Sequence, residues 1–514
     1  MDASRLSILL RMRATTIVLL VSVTLGAARI ASADVPPDTL KYTVLVGESR
    51  VGSQLWIVRS TDGGTEGTTR TTLRVDRGGE SLLMTQDVRW HESLSGDLER
   101  MSSVSTGMGP VAWRDSIAWI PTRAVWRRTR ARGGDATVDS LIGGPLVGPA
   151  ALDRAFAWGG SGGPARVAMC DPDEMRPEVY RIRQTGTDTL RLGDGTSVPC
   201  RIFSVEDSSA SPTVVEQWRD ARGALWREVD RALGVTSERS EVASGGGDGE
   251  GVGGPNDSPR PRFDAARWAL VPIIGALPRG GPCTLILEPA GPGTFDSTRT
   301  SLLLPDGPGQ AVARGSRAGM WIVRLAPTPA IATSESDRAV WRGDPALEGA
   351  LRSGLVVDSA TPAIQAFADS VASRGGGNPT AEALLLEKAV YHRIRLKDYS
   401  TVMGTASETL ARGRGDCTEH AVLLGAVCRA RGIPARLVAG LTPAGAEQMA
   451  WHLWTEVWLG SWVALDATRG LGAPAPATVA LLRMERPEDE IGNLERSIGV
   501  LSAGYRFRVS EETR

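Results

Sequence analysis

Lysine is almost missing from this 514-residue chain: it is confined to Lys41, Lys388 and Lys397, and arginine supplies nearly all of the positive charge, a pattern we read as compositional bias. A surplus of either sign is missing too. Lys and Arg total 58 against 59 Asp and Glu, a net charge of −1, and that balance argues against a nucleic-acid partner. Long apolar runs are also lacking. The run from Ala14 to Ala28 falls short of the roughly 20 residues a spanning helix needs, and no later stretch does better, so no stable membrane span is expected. Cysteine is sparse, at Cys170, Cys200, Cys283, Cys417 and Cys428, and no spacing among Cys and His resembles a metal site; neither metal nor cofactor is expected.

What is present begins at the N-terminus. Arg5, Arg11 and Arg13 precede the short apolar run, and Ala31-Ser32-Ala33 ends in small residues before Asp34. This is the pattern of a secretory signal peptide over residues 1–33, so a periplasmic or extracellular location is expected. Asp34, not cysteine, stands directly after the apparent cut site, so no lipid anchor is expected there. Disulfides are permitted in such a compartment, and Cys170 with Cys200 is the candidate pair. Cys428 lies three helical turns from Cys417, about 16 Å by helix rise, so those two cannot bridge.

At this length two or more domains are expected. Residues 34–240 read as an antiparallel β domain, with short strands at Tyr42–Val46, Gln54–Val58, Thr71–Val75, Ile202–Val205 and Val214–Trp218, the last turning at Asp220–Gly223 into Leu225–Val229. A curved half-barrel would suit that pattern. Residues 241–262 are a Gly/Pro-rich linker. A small β domain over 263–330 follows, with strands at Leu285–Leu287, Leu302–Leu304 and Trp321–Leu325. Asp344-Pro345 and Thr361-Pro362 supply helix starts in a domain spanning 340–480, and Ile364, Phe367, Ala368 and Val371 form one apolar stripe. Residues 481–514 are a tail with a closing strand at Tyr505–Val509.

The chemistry lies in the 340–480 segment. Asp416-Cys417-Thr418-Glu419-His420 opens a helix whose apolar residues Ala421, Val422, Leu424, Val427 and Cys428 recur at helical spacing until Gly432 and Pro434 stop it. Cys417 therefore sits in the first turn, where unpaired N–H groups and the helix dipole favour a thiolate, and where the same N–H groups could serve an oxyanion. Asp416 is the natural carboxylate for the helix N-terminus. Downstream, His452–Trp458 and Trp462–Thr468 read as a β-hairpin. A three-residue loop, Leu459–Ser461, would set Trp458 opposite Trp462 and make His452 and Asp466 diagonal neighbours on one face; a two-residue loop would point them apart. Nucleophile, base and orienter are then Cys417, His452 and Asp466. His420 as base and Glu456 as orienter are the competing assignments. Trp451 and Trp454 are candidate substrate-binding walls, whereas Trp458 and Trp462 read as core.

From about Asp344 to about Pro476 these motifs resemble the transglutaminase-like superfamily of papain-like thiol enzymes. The resemblance implies an α+β fold, helices packed on an antiparallel sheet, preceded here by antiparallel β domains. It also implies that Cys417, His452 and Asp466 form the triad, and that a peptide or protein substrate is attacked at an amide to give a thioester. The Gln and Trp that flank the cysteine in animal cross-linking enzymes are replaced here by Asp416 and Thr418, which favours hydrolysis over amine transfer. The alternative is a catalytically silent module of the same family that binds peptides or scaffolds an envelope complex.

Overall fold

The computed structural model describes residues 38–510 with internal exceptions, the longer ones being 158–164, 209–213, 241–269, 292–303, 328–331 and 399–402. The signal peptide and the linker expected from the sequence lie outside the described residues, as does the strand expected at Leu302–Leu304 apart from its last residue. The chain divides into two compact units between Asp264 and Ala265.

The first unit is a single antiparallel sheet with 14 strands among the described residues. Asp38–Val46 pairs with both Ser49–Thr61 and Val235–Ser240, so two meanders are joined along that strand. Alternation puts Leu40, Tyr42, Val44 and Val46 on one buried face, as the period-2 geometry of a strand requires. Tyr42, Trp56, Trp90, Ile117, Trp126 and Leu225 meet in one cluster drawn from both meanders, so the sheet curls around its core. Strands expected to be short are long: Gly64–Arg77 and Glu80–Glu92 form one hairpin spanning the former strand at Thr71–Val75. Their solvent faces carry Thr, Arg and Asp, including the Arg70–Asp87 pair, and an apolar count misses such residues.

The second unit is α+β. Its sheet has nine strands among the described residues and runs Gln310–Arg314, Trp321–Leu325, Cys283–Pro289, Tyr505–Val509, Val271–Ile274, Gln448–Trp458, Ala435–Pro443 and Val479–Met484, with Trp462–Leu465 pairing on Gln448–Trp458. This corrects the expected organisation in two places. The strands assigned to a separate domain over 263–330 belong to the same sheet as the hairpin of His452, and the boundary at 480 falls inside the strand Val479–Met484. The cause is the last strand: Tyr505–Val509 inserts between Cys283–Pro289 and Val271–Ile274, satisfying two edges that would otherwise be unpaired. Helices Pro362–Ala372, Pro379–Arg393 and Ala406–Arg412 pack around Cys417–Ala430, which lies against Ala435–Pro443 and Gln448–Trp458.

Candidate active site

The sequence places Cys417 by a capping box. Asp416 is the N-cap; its carboxylate accepts from Thr418 N at 2.8 Å and from the N–H of Glu419, while the Glu419 carboxylate accepts from Asp416 N at 3.0 Å. Glu419 also accepts from Gly404 N at 3.0 Å, tying the preceding loop to the helix. Gly415 has φ of +146°, and a Cβ there would lie 2.4 Å from Cγ of Glu419, so both backbone and space demand glycine. The cap narrows one expectation: of the first-turn N–H groups, those of Thr418 and Glu419 serve Asp416 and are not on offer to an oxyanion. The Asp-x-x-Glu spacing of a capping box was present in the sequence but passed unread for Glu419.

The hairpin has the odd-length loop. Trp458 stands opposite Trp462, and Leu459 N donates to Ser461 O at 2.9 Å. That register makes His452 and Asp466 diagonal neighbours, and His452 Nε2–H donates to Asp466 Oδ2 at 2.8 Å. The other carboxylate oxygen accepts from Thr468 N at 3.0 Å and from Thr468 Oγ1 at 2.5 Å. Lys397 Nζ in turn donates to Thr468 O at 2.6 Å. The roles of Thr468 and Lys397 were not read from the sequence; only the short Asp-x-Thr spacing signalled the first.

Electrostatics follow from burial and pairing. Burial alone would lower the pKa of His452, but the charge and hydrogen bond of Asp466, then those of Cys417, outweigh it and raise the imidazole well above its ordinary value. Burial alone would raise Asp466; the His452 charge and the bonds from His452 and Thr468 hold it below the usual carboxylate value instead. Cys417 acts on the ring first through a side-chain hydrogen bond and then through its charge, both of which favour the imidazolium. Cys417, His452 and Asp466 are 0, 3 and 1% exposed, so the three groups are brought together beneath the surface.

The competing assignments separate cleanly. Glu456 is held between Arg436, whose Nε lies 2.8 Å away, and Arg483 at 3.1 Å, and it makes no bond to His452. His420 Nδ1 bonds to Asp416 O at 2.6 Å, and burial drives its pKa down to about 4, too low for a base near neutrality. Of the tryptophans, Trp454 borders a cavity of about 300 Å³ together with Glu456, Ala464, Gln310, Pro474 and Pro476. Its ring lies nearly parallel to His452, with centroids 6.1 Å apart. Trp451 is fully buried and does not border that cavity. Trp458 and Trp462 meet edge to face at 5.5 Å.

The other cysteines are of a different kind. Burial raises all four, Cys200 to about 11, so none is a ready thiolate. None of the five is in a disulfide, and the expected Cys170–Cys200 pair is not formed: the two are buried in separate clusters of the first unit. Among the described residues no three His, Cys, Asp or Glu side chains gather as metal ligands would.

A buried cysteine at a helix N-terminus, beside an imidazole that a carboxylate holds, defines the site of a thiol enzyme in its arrangement. Residues 365–467 match the model of the transglutaminase-like superfamily. No curated protein matches the chain. Among solved structures, a cysteine-protease candidate from Cytophaga hutchinsonii is similar at 18% identity, over 43% of this chain and 80% of its own, with a TM-score of 0.25. A β-barrel-like protein of a domain family of unknown function from Brucella abortus is similar at 10% identity, over 40% and 96%, with a TM-score of 0.32. A protease candidate from Parabacteroides distasonis is similar at 13% identity, over 73% and 68%, with a TM-score of 0.17.

Proposed function

We propose that this protein is a thiol hydrolase acting on peptide or protein amides through Cys417, and that it works outside the cytoplasm. The observation that carries the reading is the single imidazole of His452, bonded to Asp466 on one side and coupled to Cys417 on the other. An imidazolium held this way favours a thiolate beside it. Cys417 Sγ then bonds to the carbonyl carbon, and the tetrahedral intermediate collapses as His452 gives its proton to the leaving amine. Water next attacks the thioester as His452 takes its proton, and collapse of the intermediate releases the acid and restores the Cys417 thiolate beside the imidazolium. Hydrolysis is favoured over amine transfer because Asp416 is committed to capping the helix and Thr418 follows the nucleophile, where animal cross-linking enzymes carry Gln and Trp.

One observation favours the silent, peptide-binding alternative: Cys417 has no exposed surface, so any substrate needs the site to open. Alkylation of full-length protein across pH separates the readings. An enzyme shows fast modification of Cys417 persisting below neutral pH, and loss of all turnover in a folded Cys417→Ala variant. A silent module shows Cys417 reacting no faster than Cys283 at any pH. Partitioning tests the outcome: with an amide substrate and a millimolar primary amine, free acid should exceed amine adduct, and predominant adduct overturns the hydrolase reading while leaving the thioester intact. For export, N-terminal sequencing of protein recovered outside the cytoplasm should begin at Asp34, and an intact Met1 sinks that part.

A further inference from the structure

Nε2 of His420 is a buried polar atom on the nucleophile's helix with no part in the reaction just described. His420 lies three residues after Cys417, so the two share a side of the helix. Helical side chains lean toward the N-terminus, and the bond from Nδ1 to Asp416 O, 2.6 Å long, pins the ring at the turn that presents the thiol. A carbonyl oxygen only accepts, so Nδ1 carries the hydrogen. Burial keeps the ring neutral, which leaves Nε2 a bare lone pair. That atom is buried without a hydrogen-bond partner in a residue 1% exposed. Buried polar atoms in native proteins are nearly always paired, and an exception calls for an explanation. The ring feels the charges of both Lys397 and Asp466, which places it in the same field as the triad. Thr418 Oγ1 and the indole nitrogens of Trp451 and Trp454 are unpaired too, but an indole N–H only donates and a hydroxyl donates as well as accepts, so of these atoms the His420 lone pair alone is a pure acceptor.

We propose that His420 is a specificity-determining residue: its Nε2 accepts an N–H of the acyl donor beside the carbonyl that Cys417 attacks, so the site selects amides that carry that hydrogen over matching esters that lack it. This rests on the reading of Cys417 as nucleophile and adds no covalent step to it. A site built to bind a donor rejects the analogue without one, because its buried acceptor is then left unpaired.

The test needs no knowledge of the natural substrate. Full-length protein is alkylated in parallel with iodoacetamide, which carries N–H donors, and with methyl iodoacetate, which is similar in size and carries none. Modification of the Cys417 peptide is followed by mass spectrometry, with glutathione as the reference thiol. The amide-to-ester rate ratio at Cys417 should exceed that of glutathione by about fivefold, as for one hydrogen bond. Both reagents are used at concentrations where the rate at Cys417 stays first order in reagent, so that opening of the site is a pre-equilibrium and dividing one rate by the other cancels it. The excess should vanish in His420→Phe, which keeps a planar ring without the acceptor, and persist in part in His420→Gln, which restores one. A wild-type ratio equal to that of glutathione, needing no variant at all, overturns the proposal, as does an undiminished ratio in His420→Phe. If neither reagent modifies Cys417 faster than Cys283, the thiol-enzyme reading itself fails, so the two failures are distinct.

Discussion

Thr468 occupies Asp466 Oδ1 with both its amide and its hydroxyl, which leaves Oδ2 to His452 alone and fixes the tautomer of the ring. Asp466→Asn removes the charge that stabilises the imidazolium, and turnover should fall about 10³- to 10⁴-fold, the scale seen when the orienter of a hydrolase triad is neutralised. Thr468→Val removes one hydrogen bond to a charged acceptor and keeps the other, so the fall should be only about tenfold. Steady-state rates check both, and equal losses in the two variants would contradict the division of labour. The pair also links stability to pH. His452 is raised, so its contribution is complete below about pH 6.5, fades above it and is lost once pH passes the folded value. Asp466 is lowered, so its contribution is complete above about pH 3.9 and is lost as pH falls through its folded value. The stability difference between wild type and Asp466→Asn should therefore be largest between about pH 4 and 6.5, on the order of 3–5 kcal/mol for breaking a buried pair. Denaturant titrations across pH read it directly, and a difference that grows steadily above pH 7 would falsify the assigned signs.

Among the elements, the helix start and the hairpin carry the site, and both are local features. Helical spacing, the Gly432 stop and the parity of the Leu459–Ser461 loop were legible because each depends on residues within a few positions of one another. Glu419 was equally local, and its role follows from spacing alone. Glu419→Ala removes the partners of both Asp416 N and Gly404 N inside the protein. Stability should drop by about 1–3 kcal/mol for the buried groups left unpaired, measured by chemical denaturation; a change of less than half a kilocalorie would mean the cap is dispensable. Inserting one glycine between Leu459 and Ser461 tests the hairpin more severely. It restores even parity, turning Asp466 from His452 unless a bulge absorbs the extra residue, and activity should be lost with the fold largely retained. What stayed hidden was whatever depends on distant pairing. Arg436 and Arg483 claim Glu456 from two different strands, and no spacing in the sequence announces that. Trp451 and Trp454 look equivalent in sequence, yet only the second borders the cavity lined by Gln310 and Pro474, because strand residues three apart face opposite ways.

At the scale of the whole molecule, the second unit is closed by a strand that arrives last. Tyr505–Val509 pairs with residues more than two hundred positions earlier, Leu287 opposite Phe507 and Leu285 opposite Val509, and runs parallel to Val271–Ile274 on its other side. Such contacts leave no local trace, which is why 263–330 read as a domain of its own and the tail as an appendage. Phe507 is fully buried, as are Leu285, Leu287 and Val323 beside it. Phe507→Ala should accordingly cost about 3–5 kcal/mol, the range for a large aromatic removed from a packed core. The first unit keeps its own cluster around Trp56, Trp90 and Trp126 and shares none of these residues. Thermal unfolding should then show two transitions, with Phe507→Ala lowering only that of the unit carrying Cys417. Labelling of Cys417 and Cys170 during the melt assigns each transition to its unit, because both thiols are buried in the folded protein. If Cys170 becomes reactive at the same lowered temperature as Cys417, the two units unfold as one and the independence of their cores is refuted.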